Sequence, residues 1–83
     1  MRMYQPVLNA ALVGRVLASY REKAGISQEV LSGLADIGRS HLSAIERGQR
    51  KPTPETFYRI CTALDVRMSE VAAAIEAELE QNQ

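Results

Sequence analysis

Apolar residues recur at helical spacing along nearly all of this 83-residue chain. Leu8, Leu12, Val13, Val16, Leu17, Tyr20 and Ala24 form one stripe with Gly25 behind them as a left-handed cap, and predict a first helix from about Val7 to Ala24. Ser27 is a good N-cap, followed by Gln28 and Glu29 in a first turn and by Val30, Leu31 and Leu34 as an inward stripe. The second helix therefore runs to about Ala35, slightly weakened by Gly33. Asp36, Ile37 and Gly38 interrupt the pattern; Leu42 and Ile45 then define a short third helix that stops before Gly48. The loop "GQRKPTPET" ends in a start signal, with Thr53 as N-cap, Pro54 at the first helical position and Glu55 near the positive helix end. Phe57, Ile60, Cys61 and Leu64 mark the fourth helix, which "LDVRMSEV" breaks. Met68, Val71, Ala72, Ile75 and Leu79 mark the fifth, with Glu76, Glu78 and Glu80 on its other face and a fraying polar tail, "EQNQ".

Composition narrows the class to all-α. Apolar residues are nearly half of the chain, aromatics are few, alanine is plentiful, and no alternating run of Val, Ile or Thr suggests a strand. The length allows one domain over 1–83, with an arm at about 1–6 and a tail at about 80–83, too small to enclose a deep catalytic cavity beside a complete core. Paired carboxylates on one face, a Cys-His pair, a Ser-His-Asp set and a phosphate-cradling glycine loop are all missing, so the pattern argues against an enzyme and calls for no cofactor. Cys61 stands alone on an apolar face and reads as core, and His41 lacks a second His or a partnered Cys at metal-ligand spacing. Without a signal peptide or an apolar span, the expected compartment is the cytoplasm and no membrane partner is expected.

Formal net charge is zero, yet its distribution is uneven: residues 1–64 carry nine Lys or Arg against five acids, and residues 65–83 carry one against five. Arg39, Arg47, Arg50 and Lys51 lie close together around a single acid, Glu46, so a local positive surface is available without a basic isoelectric point. Two helices joined by so short a turn must cross steeply, with small side chains at the crossing and an apolar plug between; Ser32, Ala35 and Ile37 suit those places. The third helix gives the core mainly Leu42 and Ile45. Arg39, Ser40, His41, Ser43 and Ala44 are left for other faces, either as a solvated flank or as a presented one.

The stretch "REKAGISQEVLSGLADIGRSHLSAIERGQRKPTPETFYRICTALDV" resembles the helix-turn-helix core of phage Cro and repressor proteins, the XRE-like family. "SQ", "AIERG", "RKPTPET" and "TALDV" occur in the family's order, and the likeness runs from about Leu12 to Leu79. Three positions depart from the pattern: Ser32 replaces a usual alanine, Asp36 a usual left-handed glycine, and Gly38 a usual Ser or Thr cap. A small serine, an aspartate that tolerates the left-handed region and a glycine N-cap all keep the fold.

The resemblance implies a compact five-helix, lambda-repressor-like domain whose second and third helices form the helix-turn-helix. It implies a sequence-specific regulator of transcription, a repressor among the possibilities, that reads double-stranded DNA with the third helix in the major groove. Carried over by position, base contacts fall to Arg39, Ser40, Ala44 and Ser43, and phosphate contacts to Gln28, His41, Arg47, Arg50 and Lys51. Arginine offers guanine a bidentate contact, although from a helix start it also reaches phosphate, and an alanine methyl packs on thymine. Arg21 and Glu46 resemble a family ion pair that ties the third helix to the first; an acid at a helix C-terminus opposes the dipole and calls for a cation.

A reading helix of about eight residues spans only ~12 Å, too short for a specific address, so a homodimer on a pseudo-palindrome is expected. The fifth helix and the adjoining face of the fourth are the expected contact surface, because Val71, Ile75 and Leu79 continue an apolar stripe. A protein-interaction module, such as an antitoxin-like subunit using the fifth helix or the arm "MRMYQPV", is the competing expectation.

Overall fold

The computed structural model describes residues 7–81, so the arm expected at 1–6 and the last two residues of the tail lie outside the described residues. Five helices follow in order: α1 (Ala10–Lys23), α2 (Gln28–Ala35), α3 (Arg39–Glu46), α4 (Pro54–Ala63) and α5 (Met68–Gln81), with no strand among the described residues. Glu80 and Gln81, expected to fray, continue α5.

α1 begins later than the apolar stripe suggests. The Asn9 side chain accepts the Leu12 N–H at 3.1 Å and caps the helix, leaving Val7 and Leu8 exposed and outside it. A cap is a local polar event that hydrophobic periodicity cannot register. Ser27 and Thr53 cap α2 and α4 as expected, each accepting an N–H three residues on at 3.1 Å. Gly38 starts α3 without a side-chain cap.

The helix ends are set by residues in the left-handed region. Asp36, at φ 57°, turns the chain from α2 toward α3 in the place where the resemblance expects glycine. α3 closes on Gly48, at φ 78°, whose N–H reaches the Ile45 carbonyl at 3.0 Å while that of Gln49 reaches Ala44 at 2.9 Å. This paired termination satisfies carbonyls that the helix leaves open.

Packing forms a ring of neighbours: α1 against α3, α3 against α2, α2 against α4, α4 against α5, and α5 back against α1. Inside it Leu17, Leu31, Leu42, Ile45, Ile60, Cys61 and Val71 are wholly buried. The inward stripe expected on α2 holds only at Leu31, because Val30 is 48% and Leu34 63% exposed. Packed against both α3 and α4, α2 buries Leu31, Ser32 and Ala35, which turns Val30 and Leu34 to solvent. The Ser32 hydroxyl is satisfied by the Glu29 carbonyl at 3.0 Å.

Burial pushes the Cys61 thiol up to about 11, with a smaller contribution from the charge of Glu70. A pKa raised in the fold stabilises the protein below the unfolded thiol's value, about 8.5, and that stability drains away as pH climbs toward the folded value. Between pH 8.5 and 10, thermal stability is therefore expected to fall more steeply for the native chain than for Cys61→Ala. Parallel melting curves across that window would show that the thiol does not ionise on unfolding alone.

Candidate nucleic-acid interface

α3 offers a face because its core contribution is narrow. Leu42 and Ile45 are wholly buried, whereas Arg39 and Ser40 are exposed and their side chains have no hydrogen bond or ion pair among the described residues. Gln28 from α2 joins Arg39, Ser40, Ser43 and Arg47 around an open hollow of about 540 Å³. The expected base-side residues are thus brought together with the start of α2, except Ala44. Ala44 and His41 are half-buried and do not line the hollow. Arg50 is exposed on the loop after α3, and Lys51, also exposed, lines a separate, largely apolar hollow with Phe57, Met68 and Leu79.

The hollow is not simply open side chains. Arg47 folds back over α3, donating Nη1 to the Ser43 hydroxyl at 2.9 Å and Nη2 to Gln49 Oε1 at 3.1 Å. Ser43 and Arg47, assigned separately to base and phosphate by the resemblance, form one unit in the free protein. Gln49 completes it; as a polar residue in a turn it carried no signal in the sequence.

The last residue of α3 is anchored from two sides. Arg21 Nε meets Glu46 Oε2 at 2.8 Å and its Nη2 meets Oε1 at 2.9 Å, a bidentate pair with only 14% and 5% of the two side chains exposed. Arg21 Nη1 also donates to the Ile26 carbonyl at 3.0 Å, and the hydrogen bond to Glu46 raises the Arg21 pKa above its ordinary value. Gln28 Nε2 donates to Glu46 Oε1 at 2.8 Å. One carboxylate therefore joins α1, the start of α2 and the end of α3. The side-chain amide of Gln28 is thereby committed to Glu46, while Ser27 Oγ takes the Val30 N–H of that helix start.

A further anchor is steric. A Cβ built at Gly14 would stand 2.1 Å from the Ile45 carbonyl oxygen and 2.7 Å from that of Glu46, and one at Gly48 would stand 2.5 Å from Ala11 Cα. α1 and the end of α3 touch backbone to backbone. A glycine inside an apolar helical stretch, as Gly14 is, is the only mark such a contact leaves in the sequence.

Residues 17–71 match a family model described as helix-turn-helix. The chain belongs to the XRE-type helix-turn-helix family. This family is one of transcription regulators rather than of enzymes, and the chain carries the helix-turn-helix domain of such a regulator. It is 38% identical over 55 residues to an uncharacterized HTH-type transcriptional regulator, y4dJ, of Sinorhizobium fredii, covering 66% of this chain and 71% of that one. It is 38% identical over 60 residues to the transcriptional regulator ClgR of Mycobacterium tuberculosis, covering 72% of this chain and 54% of ClgR. Among solved structures it is similar to the restriction-modification controller protein C.AhdI of Aeromonas hydrophila, with 32% identity and a TM-score of 0.74 over 78% of this chain and 98% of that one. Among the described residues of this XRE-type domain, no helix is long and apolar enough to cross a membrane, and no three metal-ligating side chains cluster.

Proposed function

We propose that the protein is a cytoplasmic, homodimeric regulator that binds double-stranded DNA sequence-specifically and lays α3 in the major groove of a pseudo-palindromic operator. The observation that carries this reading is the division of α3 between two surroundings: one side wholly buried and its C-terminus clamped, the other presenting unpartnered Arg39 and Ser40. Arg39 and Ser40 are the principal base readers, with Ser43 and Ala44 beside them and a guanine expected in each half-site. Phosphates fall to the start of α2, at Gln28, and to His41, Arg47, Arg50 and Lys51. Its likeness to transcriptional regulators and to a restriction-modification controller supports control of transcription as the output.

The expected pairing surface, α5 and the adjoining face of α4, narrows to the residues the core does not take up. Val71 and Ile75 are buried in the domain's own core, which leaves Met68, Ala72 and Leu79 of α5 beside Phe57 of α4.

With about three or four phosphates neutralised per protomer, a plot of log affinity against log salt is expected to have a slope of roughly −5 to −7. Duplexes selected from a random pool provide the probe. A flat salt profile, or a pool that yields no shared half-site, would rule out the groove-reading role.

A further inference from the structure

The turn that ends α3 also fixes what lies beside it. Gly48, at φ 78°, rests so closely on α1 that a Cβ there would stand 2.5 Å from Ala11 Cα, and the N–H of Gln49 is tied to the Ala44 carbonyl at 2.9 Å. With its backbone held, Gln49 reaches back along α3 to accept from Arg47 Nη2 at 3.1 Å, while Nη1 donates to Ser43 Oγ at 2.9 Å. Both acceptors are neutral. Arg47 has no ion pair among the described residues, because the adjoining acid, Glu46, is taken up by Arg21. The guanidinium is thus braced with its charge uncancelled and donors to spare. The Ser43 hydroxyl itself donates no hydrogen bond among the described residues, not even to the carbonyl one turn back that helical serines can reach.

We infer that Gln49 is a positioning residue for base recognition: it holds Arg47 against Ser43, so that the Ser43 hydroxyl meets the groove as a proton donor and selects a base acceptor. The inference rests on the groove-reading function proposed above and specifies one contact within it. A free serine hydroxyl discriminates poorly, because it turns to donate or to accept as the base requires. Accepting a charge-assisted bond from Arg47 occupies the oxygen and polarises its O–H toward donation. Arg47 is a long, exposed side chain, and one hydrogen bond to Ser43 does not offset the freedom it loses there; the second bond, to Gln49, closes the brace. Without it the guanidinium swings off toward phosphate and the hydroxyl regains both roles. Ser43 and Arg47 line the same hollow as Arg39 and Ser40, so the directed donor stands beside the principal base readers. In the major groove guanine, adenine and thymine each present an acceptor, whereas cytosine presents only its amino donor. One position of each half-site should therefore exclude cytosine on the strand facing Ser43.

The test starts from the half-site recovered from the random pool and measures competition binding of duplexes carrying each base in turn at every position. The native protein is compared with Ser43→Ala, Gln49→Met and Gln49→Glu. Methionine matches glutamine in length and lacks its strong acceptor, and the exposed position leaves the core untouched. Native protein is expected to bind about tenfold more weakly when cytosine stands at one position, the one whose penalty Ser43→Ala removes. Gln49→Met is expected to cut the same penalty to about threefold or less and to leave the other positions as they were, whereas Gln49→Glu, which still accepts from Arg47, keeps it. A pool without a shared half-site overturns the groove-reading function, and this inference with it. Given a half-site, a cytosine penalty that is missing, or that survives Gln49→Met, overturns the role of Gln49 alone. So does a Gln49→Met protein that binds every duplex more weakly by the same factor, or a Gln49→Glu protein that loses the penalty as Gln49→Met does.

Discussion

Gly14→Ala is expected to destabilise the domain by about 3 kcal/mol or more, although the same change inside an unpacked helix stabilises by up to about 1 kcal/mol. The added methyl would lie 2.1 Å from the Ile45 carbonyl oxygen and within 3 Å of Glu46 backbone atoms, in a contact where no side chain can swing aside. Relief requires α1 and α3 to separate, and that separation opens the contact that seats α3. For a domain of this size the loss corresponds to a fall in Tm of about 12–24 °C. Gly33 is the internal control: it lies in α2, is exposed, and a Cβ there would meet nothing within 4 Å. Gly33→Ala is expected to raise stability by about 0.5–1 kcal/mol. Melting curves of the two variants beside the native chain check both signs together; a Gly14→Ala protein as stable as the native one would show that α1 and α3 do not meet backbone to backbone.

Glu46→Ala is expected to cost about 3–5 kcal/mol, because it strands a nearly buried guanidinium rather than removing a solvated ion pair. The Arg21 side chain is only 14% exposed, and its two donors to Glu46, together with that of Gln28, lose their acceptor at once. DNA affinity should fall beyond what the unfolded fraction explains, since the end of α3 then has no directional tie to α1 or to the start of α2. Replacing both partners separates the two effects. Arg21→Met with Glu46→Leu removes the stranded charge and is expected to recover stability to within about 1 kcal/mol of native, while affinity stays reduced. Chemical unfolding and DNA titration of the native, single and double variants provide the measurement. Native-like affinity in the double variant would reduce the Arg21–Glu46 pair to a stabilising role.

The order and approximate extent of the five helices could be read from the chain because their causes are local. Ser27 and Thr53 cap by bonding three residues ahead, Pro54 is suited to a first turn, and Leu42 and Ile45 lie one turn apart. Where local cues competed, periodicity misled. Asn9 took the start of α1 away from Val7, and α2 placed Ser32 and Ala35 rather than Val30 and Leu34 against its neighbours. The candidate site divided in the same way. Outward placement of Arg39 and Ser40 followed from the narrow core side of α3, whereas the Arg47–Ser43–Gln49 unit and the inward turn of Gln28 depend on side-chain reach in three dimensions.

By itself, the chain's order of caps, apolar steps and left-handed turns determined an all-helical domain with a short third helix and a basic segment beside it. Only the tertiary structure decided that Gly14 and Gly48 are points of backbone contact, that one carboxylate gathers three helix ends, and that Val71 and Ile75 belong to the core. The physical reason is range. Capping and periodicity act within about one helical turn and leave a mark on neighbouring residues. Close approach, ion pairing and burial join residues distant along the chain, and their geometry exists only once the helices have packed.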